Sequence, residues 1–162
     1  MSGYVNPVIE DVLRDGYILK LKVSLSTPSP ITPKYISCQI ISRSGGIVVR
    51  INGATATHAV NEALRIMEAG IPKNPFIDGV VDERIGNIQF EPSSVDNLLH
   101  NNGHVQSSAS GGHIRIDVLK YTPGNAGQVD YFENAAEVVS PTFVEAYRHI
   151  IQKLDAIAPK KA

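Results

Sequence analysis

The chain has no tryptophan, a single cysteine, and only 6% aromatic residues. One cysteine excludes an internal disulfide, so stability must come from packing. Cys38 sits among Tyr35, Ile36, Ile40 and Ile41 and reads as a buried thiol in a reducing compartment. No apolar run approaches the roughly 18 residues that cross a bilayer, so no membrane-spanning helix is expected. The N-terminal Met1-Ser-Gly-Tyr-Val-Asn-Pro lacks the basic stretch and apolar core of a signal peptide. The expected location is intracellular, nuclear or cytoplasmic. Neither sign of charge dominates: 15 Lys and Arg face 16 Asp and Glu, a net charge of −1. That balance excludes a strongly basic coat for nucleic acid but leaves room for a local basic patch. What is present is ordinary: 43% hydrophobic and 19% charged residues over 162 positions, enough for one domain with its own core.

Catalytic signatures are missing as well. There is no Gly-x-Gly-x-x-Gly, no phosphate loop and no Gly-x-Ser-x-Gly elbow. Gly111-Gly112 precedes a strand, where no helix terminus is available for an anion. His100 and His104 have the i, i+4 spacing of metal ligands, but Asn102-Gly103 would break a helix there, and no cysteine or carboxylate completes the set. Asp78, Asp82, Glu83 and Glu91 read as a solvated surface, since acid–base chemistry needs a buried pair at fixed separation. No metal and no other cofactor is expected. A small enzyme with His104 or His113 in a cleft is a minor rival.

The chain alternates helical and period-two segments, which specifies α/β (α+β two-layer) architecture. Residues 4–15 form a short helix, with Asn6 as cap and Pro7 in the first turn. From Tyr17 the apolar residues Leu19, Leu21, Val23 and Leu25 alternate with Lys20, Lys22 and Ser24, a half-buried strand. Ser26 to Pro33 breaks it with three prolines. Residues 32–43 suit a helix or a strand almost equally. Ile47 to Ile51 is a strand, Asn52-Gly53 a turn, and Thr55 or Thr57 caps a helix whose buried stripe is Val60, Ala63, Leu64 and Met67. Gly70 stops that helix. A long connection covers 71–86, a short strand 87–91, and a polar, glycine-bearing arm 92–112. His113 to Tyr121 alternates as a strand, and 123–128 is a loop. Ser140-Pro141 opens a last helix striped with Phe143, Tyr147, Ile150, Leu154 and Ile157, with Thr142 and Glu145 placed for a capping box.

The order strand, short helix, strand, helix, strand, long arm, strand over residues 17–121 resembles the Alba superfamily, β-α-β-α-β-β domains that bind RNA or DNA. The segment Ile47-Val-Val-Arg-Ile-Asn-Gly-Ala-Thr-Ala-Thr-His-Ala-Val-Asn-Glu-Ala-Leu-Arg-Ile-Met-Glu-Ala-Gly is similar to its second strand, glycine turn and second helix. Ser93-Ser-Val-Asp and Gly112-His-Ile-Arg-Ile-Asp-Val-Leu-Lys-Tyr-Thr-Pro are similar to the strands flanking its arm. Within the superfamily, the chain is most similar to the smaller Alba-type subunit of eukaryotic ribonuclease P and ribonuclease MRP. The resemblance implies a helix at 32–43, an Alba-like domain at 17–122, and helical extensions at 1–16 and 123–162. The C-terminal helix packs on its own sheet or on a partner chain.

The implied function is non-catalytic binding of structured RNA, with DNA as the alternative, by one subunit of a dimer formed with an Alba-type partner chain or with itself. Its site would combine Thr27 and Lys34 in the first loop, Arg50, Asn52, Gly53 and Thr55 at the turn, Asn101, Asn102 and His104 on the arm, and Arg115. The family's lysines after the first strand and arginine-rich Gly-x-Gly turn are replaced here by Ser26 to Pro33 and by Asn52-Gly-Ala-Thr-Ala. Fewer phosphate contacts mean weaker, less salt-dependent binding. The alternative is a self-assembling structural protein of a viral or secretion-type particle, joined through sheet edges and the last helix.

Overall fold

A computed structural model describes residues 9–23, 35–53, 55–68, 77–81, 94–122, 124 and 127–157. In chain order the elements are α1 (Ile9–Arg14), β1 (Ile18–Val23), β2 (Ile36–Ile41), β3 (Ile47–Gly53), α2 (Ala56–Glu68), β4 (Ile77–Val81), α3 (Ser94–His100), β5 (His104–Ser110), β6 (His113–Thr122), β7 (Tyr131–Ser140) and α4 (Phe143–Ile157). The strands form one sheet in the order β4-β3-β2-β1-β5-β6-β7. Six of them are joined antiparallel; β4 pairs parallel with β3, with α2 between the two in sequence. That is the connection parallel neighbours require.

Among the described residues, all four helices lie on one face of the sheet, and the other face is helix-free. Their inward residues, among them Val12, Leu13, Ala59, Ala63, Met67, Val95, Leu99, Phe143 and Ile150, join a single buried cluster with Leu19, Leu21, Cys38, Ile40, Val49, Ile51, Val105, Ile116 and Val118. The molecule is thus an α+β two-layer fold with one core, and the terminal helices are part of it. The last helix packs on its own sheet, against β6 and β7. Thr142 caps it, accepting from the Glu145 amide at 3.3 Å, and Glu10 on α1 accepts from the Phe143 amide at 2.7 Å.

Several expectations need correction. Residues 36–41, expected to be helical, form β2, paired with β1 and β3 on its two sides. The physical reason is that Ile36, Gln39, Ile40 and Arg43 also fall at helical spacing, and with Ile36 through Ile40 all buried no exposed face marks the segment as a strand. Asn52-Gly53 is not a turn, because β3 runs through both residues. Gly53 instead lets α2 approach: a Cβ there would lie 3.0 Å from the Ala59 amide nitrogen. The described part of the arm, 94–112, holds α3 and β5. Ser94 to Asp96, expected in a strand, begins α3, because Val95 and Leu99 are four apart and both bury. Val105 and Ser107 then alternate inward along β5. The 71–86 connection contains β4, and β7 was not expected at all. The N-terminal cap at Asn6 and the strand at 87–91 lie outside the described residues.

Candidate nucleic-acid interface

Strand alternation sends Leu19, Leu21 and Val23 into the core and so turns Lys20 and Lys22 to the helix-free face. β1 is paired on both sides. Lys20 lies opposite Gln39 on β2 and Gln106 on β5, and Lys22 opposite Ser37. β2 carries the pattern onward, with Gln39 opposite Arg50 and Ser37 opposite Asn52 on β3. Two polar rows therefore cross the centre of this face: Arg50, Gln39, Lys20, Gln106, and beside it Asn52, Ser37, Lys22.

The electrostatics of the rows are specific. Burial, and then the neighbouring Lys22, hold the Lys20 ammonium below its ordinary value. His104, at the start of β5, is likewise held low, first by burial and then by Lys20 and Lys22. Both causes disfavour the charged forms of Lys20 and His104, and an anion placed beside them would favour those forms. Ser37 is only 1% exposed, and its hydroxyl has no hydrogen-bond partner. The Asn52 side-chain oxygen, across the ladder, is buried and equally unpaired. An orphaned buried polar atom costs about 1–3 kcal/mol, and here two lie side by side, next to Lys22. The third such atom, the Ser107 hydroxyl, faces the helices opposite Leu19 and is not part of this set.

Asp117 on β6 lies opposite Gln106 and bounds the patch on that side. Arg115 is held by Asp117 at 3.0 Å and by Glu137 on β7. Next to them the His104 ring stacks on Phe132 at 4.8 Å, and Tyr121 tilts against Phe132 at 5.4 Å.

Compared with known proteins, the chain matches no family model, no curated protein and no solved structure. The geometry therefore carries the reading.

Of the site residues expected from sequence, Arg50, Asn52, His104 and Arg115 do come together on the helix-free face, although Arg115 is engaged by two carboxylates. Gly53 and Thr55 do not join them. Gly53 lies under α2, and Thr55 is buried as its cap, accepting from the His58 amide at 3.3 Å. Asp96 completes that cap from α3, accepting from the Ala56 amide at 2.6 Å. Asn101 and Asn102 form the exposed turn between α3 and β5, where Asn102 has φ 67°. The turn interrupts the His100–His104 spacing, and no group of three or more metal-ligating side chains occurs among the described residues. Thr27 and Lys34 lie outside the described residues. Sequence reasoning passed over Lys20, Lys22, Ser37, Gln39 and Gln106 as site residues. The period-two alternation of 17–25 had already set both lysines on the outer face of a strand; only the pairing of β1 with β2 sets them beside Ser37.

No helix among the described residues is long and apolar enough to cross a membrane.

Proposed function

We propose that this chain is a non-catalytic RNA-binding protein and that it binds through the helix-free face over β3, β2, β1 and β5. One observation carries the reading: Lys22 lies in register with a buried, unpartnered serine hydroxyl and asparagine oxygen, and Lys20 stands in the adjoining row of the same face. The lysines suit phosphates as point charges. The Ser37 hydroxyl can donate or accept, and the Asn52 oxygen accepts, which matches the donor and acceptor character of a ribose 2′-hydroxyl. Gln39 and Gln106 extend the set toward base edges.

This differs from the site implied by the Alba resemblance, which used the loop after the first strand and the turn after the second. With Ile36–Ile41 a strand and Asn52-Gly53 inside β3, the contact surface moves from the turn to the sheet. The finer proposal, a dimer subunit of a ribonuclease P- or MRP-like ribonucleoprotein, rests on the resemblance alone. Its test is copurification with an RNA and an Alba-type partner.

The surface itself is tested by titrating labelled single-stranded and structured RNA at low and at high salt. Binding that weakens as salt rises is expected. Absence of binding to both RNAs at low salt overturns the proposal.

A further inference from the structure

Among the described residues β7 is an edge strand ten residues long, bonded to β6 on one side only, and it contains no proline. Edges of this kind are ordinarily short, bent away or covered. Here Tyr131, Phe132 and Val139 are 52%, 45% and 56% exposed. We propose that this edge pairs antiparallel with the β7 of a second copy of the chain, a two-fold contact independent of the RNA reading.

The argument starts from the bulge. Val118 lies opposite Ala136, but Leu119 lies opposite Asn134, so Ala135 is the extra residue. Lys153 on α4 donates to the Glu137 carbonyl at 3.0 Å, which places that carbonyl on the outward side. Inward- and outward-pointing residues alternate in an antiparallel ladder. Glu137 and Val139 therefore point outward, and the bulge shifts the phase so that Asn134 and Phe132 do too. The same shift resets the side chains. Phe132, Asn134, Glu137 and Val139 lie on the helix-free face, while Tyr131, Glu133, Val138 and Ser140 lie on the helix side with Ala135 and Ala136, which pack against the core.

A two-fold axis at the bulge then matches every position. Phe132 of one copy meets Val139 of the other, and Asn134 meets Glu137; all four point outward and lie on one face. On the helix side Glu133 meets Val138 and Tyr131 meets Ser140. Each exposed Phe132 is covered by a valine, and no carboxylate faces a carboxylate. The charges also fit. Val138 shares a shallow groove with His149, Gln152 and Lys153 of α4, so Glu133 of the second copy arrives beside the Lys153 ammonium. Lys153, which guards the Glu137 carbonyl in the single chain, would turn to that carboxylate as the strands join.

The test is sedimentation velocity of the full chain over the micromolar to submillimolar range. A monomer–dimer equilibrium is expected. Val139→Pro removes an outward amide and leaves the β6 ladder intact, as proline is tolerated where the amide faces away. One hydrogen bond is lost in each symmetric half, which should weaken the dimer about thirtyfold. Far-UV circular dichroism confirms that the variant folds. Glu133→Lys and Lys153→Glu should each weaken the dimer a few-fold, and the double variant should restore it. A chain that stays monomeric throughout overturns the proposal. A dimer indifferent to Val139→Pro, or charge reversals that fail to compensate, overturns it as well.

Discussion

Replacing Lys20 and Lys22 with glutamine isolates the proposed RNA surface. For single-stranded nucleic acid each phosphate neutralised contributes a slope of about −0.7 in log affinity against log salt. Two lysines account for a slope near −1.4, so the double variant should be shallower by about that amount. At about 0.1 M salt each contact is worth roughly 0.7 log units, and losing both should weaken binding about 25-fold; at about 0.5 M the deficit should shrink to about threefold. Fluorescence anisotropy of a labelled single-stranded RNA across a salt series reads both quantities. The variant should fold normally. Burial already penalises the Lys20 charge, so removing it leaves the melting temperature unchanged or raised. An internal check comes from His104, which burial, Lys20 and Lys22 hold below its ordinary value. Its NMR-titrated pKa should rise in the double variant, because two of those three causes have gone while burial remains. Unchanged affinity and an unchanged salt slope would refute the assignment, placing the anchors elsewhere on the chain.

Three further outcomes test the fold that holds this surface. Asp96→Ala removes a buried carboxylate from the Ala56 amide and should cost about 3 kcal/mol, or about 6–12 °C in melting temperature, with Asp96→Asn milder because it keeps the acceptor. Gly103→Ala places a Cβ 2.8 Å from the carbonyl oxygens of both Leu98 and Leu119, so chemical denaturation should show a loss of about 2 kcal/mol or more. Cys38 is wholly buried, and burial pushes its thiol pKa far up; a thiol reagent should modify it only at the rate at which the chain unfolds.

The elements that were legible in the sequence are those with one wet face and one dry face. β1 alternates lysine with leucine and valine, and β6 alternates Ile114, Ile116 and Val118 with Arg115 and Asp117. α2 and α4 carry regular apolar stripes. β2 escaped because its polar alternates, Ser37 and Gln39, are followed by Ile41 on the same face, while Ile36, Gln39, Ile40 and Arg43 fit helical spacing as well. β7 escaped for a different reason. Its alternation holds on either side of Ala135 but changes phase there, so Tyr-Phe-Glu-Asn-Ala-Ala-Glu-Val-Val shows no period over its whole length. The candidate site was half legible. Arg50, Asn52 and His104 were singled out on other grounds, and their convergence with Lys20 and Lys22 depends on β2 lying between β1 and β3, a placement no local pattern encodes.

A net charge of −1 can serve RNA binding because the charges on the helix-free face are segregated. Lys20 and Lys22 occupy the middle of the sheet, whereas Asp117 and Glu137, with Arg115 between them, lie toward β7. On the proposed reading, phosphates would be drawn to the first group and repelled by the second, steering an RNA strand over β1, β2 and β3 and away from the β7 edge. The edge is thereby left to protein, and its backbone groups and exposed apolar side chains suit that use. In a dimer joined through β7, seven inter-strand steps of about 4.8 Å separate one β1 from the other, roughly 34 Å along the sheet. The two acidic margins meet at the centre of that span. Two lysine pairs so placed are separate sites: a short RNA engages one pair, and only a longer one that arches over the acidic middle engages both.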